Sequence, residues 1–147
     1  MTGPPDASAS AVSAAAAPLA LGVPEAPGLG LGALAGLFVL FAAVVALGVV
    51  VHRPIKAAAD GRLGPEDGGG IRTSATLRSP EAWQLGHQAA MIYVRAMPAV
   101  MVLIVLGGIA GTLWGGAMVG FAVGLVGLAI EVFIIAMARI FAHIAAR

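Results

Sequence analysis

Few side chains in this sequence can do chemistry, and most of them crowd into one polar connection, "GGGIRTSATLRSPEAWQLGHQ", Gly68 to Gln88. It brings Arg72, Arg78, Trp83 and His87 together in a chain otherwise built mostly of alkyl side chains and glycine. The histidines, His52, His87 and His143, all fall near the ends of apolar runs, where a shared metal is geometrically conceivable. Histidines at such helix ends are far more often interfacial residues. Ser79 precedes Pro80 and Glu81, the pattern of a helix start, and no paired base or oxyanion motif accompanies it as a nucleophile would need. No glycine loop ending in Lys-Ser/Thr appears, and "GLGLGALAG" lies inside an apolar run. The absence of cysteine excludes disulfides, thiolate metal sites and a thiol nucleophile. The chain is therefore expected not to be an enzyme and to use no cofactor or metal.

Composition sets the surroundings of that connection. Of 147 residues, 60% are hydrophobic and 10% charged, with a mean hydropathy of +1.00. A soluble core of this size cannot absorb so much apolar material, which makes lipid the expected solvent. A net charge of +1 leaves no basic surface for nucleic acid. Residues 1–27 are rich in Ala, Ser and Pro, with only Asp6 and Glu25 charged, and read as a disordered tail. With no basic start, they do not read as a signal peptide.

The run from Gly28 to Val51 is 24 residues without a charge, enough to cross a hydrocarbon layer about 30 Å thick. It ends at His52, Arg53 and Lys56, and Pro54 is expected to stop the helix. A second uncharged run, Ala96 to Ile130, has 35 residues and would reach about 52 Å as one helix, too long for a single crossing. Its middle, "GGIAGTLWGG", predicts a tight hairpin centred near Leu113. Three spans result, about 28–51, 89–111 and 115–138, with 52–88 as the connection.

Arg95 and Glu131 are equidistant from Leu113, so this hairpin sets them level and predicts an intramembrane ion pair. The other reading is an arginine that snorkels beside a glutamate that is protonated or faces water. Gly116, Gly120 and Gly124 on the third span, and Gly32 and Gly36 on the first, form four-residue stripes suited to helix packing within one chain or between chains. All eight Lys and Arg residues avoid both the tail and the hairpin turn. The positive-inside rule then puts the N-terminus outside and the C-terminus in the cytoplasm.

From Ser79 onward an amphipathic lead-in helix is expected at the headgroups, with Trp83, His87 and Met91 on one face and a bend near Val94 caused by Pro98. Arg72 and Arg78 have donors for lipid phosphate, for a carboxylate or for an acidic partner. As simple topogenic charge they would need no further role.

Gly70 to His87, "GIRTSATLRSPEAWQLGH", resembles the signature of the SdpI family of bacterial membrane proteins. Gly70, Ile71, Arg72, Thr73, Thr76, Leu77, Ser79, Glu81, Trp83 and His87 carry the likeness, which extends over roughly residues 37–138. An asparagine-containing stretch expected before the glycine is missing, and the chain contains no Asn. The resemblance implies a multi-span protein of the cell membrane, of a kind that gives immunity to a secreted peptide toxin and helps hold a transcriptional repressor at the membrane. It makes the signature residues the expected partner-binding segment, with membrane lipid, a toxin peptide or a cytoplasmic repressor as partners. An accessory subunit of a larger membrane assembly or a homo-oligomer is the alternative, and a small transporter or channel using Glu131 is a third.

Overall fold

A computed structural model describes residues 29–147. The Ala/Pro-rich tail over 1–27 lies outside the described residues. Those described are all helical, without a strand: α1 (Leu31–Ala59), a 3-10 turn (Pro65–Asp67), α2 (Pro80–Val94) and α3 (Met97–Ala145). Two stretches, α1 and the nearly continuous Pro80–Ala145, are long and apolar enough to cross a membrane.

α1 does not stop at Pro54, as the sequence led us to expect. Pro54 removes one donor, yet the helix continues to Ala59. It ends where Gly61 N–H donates to Ala58 O at 3.1 Å and Arg62 N–H to Ala57 O at 2.8 Å. These are the paired bonds of a Schellman termination, so Gly61 and not Pro54 ends the helix.

Between α2 and α3 the helix is interrupted at Arg95 and Ala96, which keep right-handed helical backbone angles. Pro98 has no N–H for the Val94 carbonyl, four residues back. The His52 ring fills the gap, its Nδ1 lying 3.2 Å from Val94 O.

α3 is interrupted at Gly116, whose φ of 78° and ψ of 179° belong to a region that is essentially reserved for glycine. The chain reverses there, three residues beyond the expected centre at Leu113. Across the turn, a Cβ on Gly120 would run into Thr112 and one on Gly127 into Ile104. α1 lies against both arms, with Leu40 and Phe41 at Gly124, Phe41 at Gly108 and Met101 at Gly48. Three rods of alternating direction result, with neighbouring side chains seated over glycines where they meet.

The later turn removes the expected pairing of Arg95 with Glu131. Glu131 lies 15 residues past Gly116 and Arg95 lies 21 before it, an offset of about 9 Å along the helix axes. Arg95 is exposed, while the Glu131 carboxylate is fully buried and accepts no hydrogen bond. The glycine stripes divide in their contacts within the chain. A Cβ on Gly32 would meet nothing within 4 Å, and Gly116 forms the turn rather than a contact. Gly36, Gly120 and Gly124 do sit against neighbouring helices, at Phe121, Leu37 and Leu40.

A second set of small residues joins α2 to the end of α3. Ala82, Gly86 and Ala90 recur every four residues on α2, as do Ala138, Ala142 and Ala146 at the end of α3, and all six are buried. A Cβ on Gly86 would lie 2.9 Å from Ala142 O, so the two backbones almost touch. Small residues permit that approach, and dispersion between the backbones then stabilises it.

Gly124→Leu should lower the thermal unfolding midpoint in detergent, with a cost of about 1–3 kcal/mol from overpacking against Leu40 and Phe41. Gly32→Leu should leave it unchanged. Equal effects from the two would mean that the rods are not held at these glycines.

Candidate functional site

The polar connection folds back over the end of the bundle remote from Gly116. Asp67 Oδ2 accepts from Gly64 N–H at 2.7 Å and closes the 3-10 turn. Gly70 then takes a φ of 78° and lies flat on the rings of α2. A Cβ there would be 2.6 Å from His87 Nε2 and 3.1 Å from Trp83 Cζ2, so both the backbone conformation and the space require glycine.

Ser79 starts α2 by accepting from Ala82 N–H at 3.1 Å, and Pro80 occupies the first turn. Hydrogen bonding to its own backbone, and then to the Ser79 side chain, holds the Glu81 carboxyl below the usual carboxylate range. The four-residue spacing of Trp83 and His87 brings their rings into tilted contact, with centroids 4.2 Å apart and planes at 46°. Trp83 is 2% exposed, and its Nε1–H donates to Leu63 O at 2.8 Å. The His87 ring bridges two segments. Ile71 N–H donates to Nε2 at 2.7 Å, and Nδ1 lies 2.7 Å from Trp83 O. An Nε2 that accepts leaves Nδ1 to carry the proton, which defines a neutral imidazole. Burial agrees, pushing the His87 pKa down.

Thr76 completes the lock. Its hydroxyl donates to Ile71 O at 2.8 Å and accepts from Thr73 N–H at 2.9 Å, while Thr76 N–H donates to Thr73 Oγ1 at 3.1 Å. Gly70, Ile71, Thr73, Thr76, Ser79, Trp83 and His87 thus form one continuous hydrogen-bonded and packed cap. Leu77 stays outside it, 44% exposed.

The arginines divide by role. Arg78 donates to the carbonyls of Ala146 and Arg147 and so caps the negative end of α3. Among the described residues it forms no ion pair with Glu81 or Glu131. Arg72 donates to Pro65 O and is exposed. The three histidines have separate surroundings, with His143 beside Arg147 at 3.1 Å. Among the described residues no group of three or more His, Asp or Glu side chains converges.

Thr76, Gly86 and the Leu63 carbonyl belong to this site, but the sequence reading gave them no structural role. The four-residue repeat of Ala82, Gly86 and Ala90 was the available signal for Gly86.

A family model described as the SdpI/YfhL protein family matches residues 62–139, which covers this cap, α2 and most of α3. The chain belongs to that family. No curated protein and no solved structure matches it. The matched segment begins within the connection, so the cap belongs to what the family shares and α1 lies outside the match. The expected signature had Trp and His at four-residue spacing, and in three dimensions that spacing forms the tilted ring pair that seats Gly70.

Because the folded-state pKa of His87 is depressed, its contribution to stability is present above its ordinary value of about 6.5 and is lost as pH falls through the lower folded value. In a Trp114→Phe background, where Trp83 is the sole indole, lowering the pH from about 7.5 to 4.5 should shift tryptophan emission to the red as the cap opens. Emission that stays constant over this range would mean that the Ile71–His87 bond does not hold the cap.

Proposed function

We propose that this SdpI-family protein crosses the bacterial cell membrane three times, with its N-terminus outside and its C-terminus in the cytoplasm. In this reading it acts by binding and sequestration and gives immunity to a membrane-active peptide. The carrying observation is how the family segment uses its polar groups. Gly70, Thr76, Trp83 and His87 are consumed in building a rigid cap, while Arg72 remains exposed on its surface. That is the layout of a presenting surface, with the side chains inside it engaged in structure.

The crossing number rests on the Gly116 reversal and on length. From Gly116 to Arg139 is 23 residues, about 34 Å of helix and slightly more than a hydrocarbon layer. All eight basic residues lie toward the end of the bundle remote from Gly116, which supports placing that end in the cytoplasm. A repressor held at the cytoplasmic cap would use the same face.

A second reading is a subunit of a larger membrane assembly. Its support is an open apolar groove of about 520 Å³ between the two arms of α3, lined by Val100, Leu103, Ile104, Val123, Val126 and Ile130. Recovery of a stoichiometric partner after mild detergent extraction would favour it over the first.

The absence of cysteine makes the topology directly testable. A cysteine at Trp114 should react with an impermeant maleimide on intact cells, and a cysteine at Ser74 only after the membrane is opened. The reverse pattern would overturn the orientation. For the function itself, expression should raise survival against a pore-forming peptide several-fold. Arg72→Ala should remove that protection without loss of protein or of the Trp83 emission. Protection that survives the substitution would refute the role given to Arg72.

A further inference from the structure

Two depressions adjoin at the boundary of the cap and share Arg72 and Arg139. One, of about 370 Å³, has apolar walls from Val50, Val51, Ile55 and Ile135 and is closed at one end by Gly70 and Ile71. The other, of about 490 Å³, is rimmed by Thr73, Ser74 and His143. Both arginines are exposed, and among the described residues neither has a carboxylate within salt-bridge distance. Arg72 is held to Pro65 O through a single nitrogen and has further donors free.

The two depressions differ in chemistry. The wall formed by Val50 and Ile135 lies about one helical turn to the membrane side of Arg53 and Arg139, at the depth of acyl carbons. Ser74 and His143 lie on the aqueous side. We propose that this composite groove is a binding site for an anionic phospholipid. The phosphate lies between the Arg72 and Arg139 guanidinium groups, and one acyl chain follows Val50, Val51 and Ile135. Charge complementarity selects the headgroup, because two arginines close to one another without a counter-charge are relieved by a phosphate. The apolar wall requires an amphiphile, since a free phosphate would leave it uncovered. Bound there, the lipid would join α1, the cap and the end of α3.

The test is native mass spectrometry of the purified full-length protein in neutral detergent, titrated with phosphatidylglycerol, with phosphatidylcholine and with inorganic phosphate. The site predicts a saturable one-to-one adduct with phosphatidylglycerol at least about tenfold tighter than with phosphatidylcholine. Arg72→Ala combined with Arg139→Ala should abolish that preference, whereas Arg53→Ala should keep it. Val50→Trp fills the apolar wall from a side chain that is 69% exposed, so it leaves the core and both arginines intact. It too should weaken the adduct at least about tenfold. Equal binding of the two lipids, or an undiminished preference in the double variant, would overturn the proposal. So would inorganic phosphate displacing the lipid while Val50→Trp has no effect, which would identify a free-anion site instead.

Discussion

In lipid, an apolar side chain gains almost nothing by moving from solvent to a neighbouring helix, so these rods are held where their backbones can come close. Neighbouring elements leave no room for a Cβ at Gly48, Gly108, Gly120, Gly124 and Gly127 along the bundle, or at Gly86 where α2 meets the end of α3. Large side chains such as Phe41, Met101 and Ile104 fill the hollows these glycines leave. This arrangement explains why so many leucines, valines and phenylalanines can remain outward-facing. They are solvated by lipid, and the fold does not depend on burying them.

Close approach does not satisfy backbone carbonyls freed at helix ends and bends, and in or near hydrocarbon there is little water to do so. The polar residues of the connection answer that need. His52 reaches the Val94 carbonyl left open by Pro98, Trp83 donates to Leu63 O, and Arg78 caps the end of α3. Seen this way, a tryptophan, a histidine and an arginine that look like catalytic or recognition groups are mainly donors to orphaned carbonyls. Arg72 is exposed too, and it has donors to spare beyond its bond to Pro65.

Glu131 runs against this economy. Its carboxylate is fully buried beside Gly48, whose lack of a side chain leaves it room, and neither oxygen has a donor. A methionine or leucine of similar volume would fill the position at lower cost, because burying an unpartnered carboxyl group is unfavourable. Stability therefore does not account for Glu131. The offset from Arg95 also removes the counter-charge that a transmembrane relay through this pair would have needed.

Helix starts and apolar runs were legible in the sequence because they depend on local chemistry. Ser79-Pro80-Glu81 specifies its own N-terminus, and a run of 35 uncharged residues with a glycine-rich middle has to break. The position of the break was not legible. Gly107, Gly108, Gly111, Gly115 and Gly116 all tolerate a reversal, and only the packed structure selects Gly116, where Gly120 can seat against Thr112 and Gly127 against Ile104. Moving a hairpin centre by three residues shifts every cross-turn register by six, so a small error at the turn became a wrong partner for Arg95. The Pro54 error has a similar origin, since proline weakens a helix by one bond while Gly61 supplies the geometry that ends it. Local signals locate elements well. Register between elements is decided by which side chains meet, and in a glycine-rich membrane bundle several registers look equally good until the contacts are known.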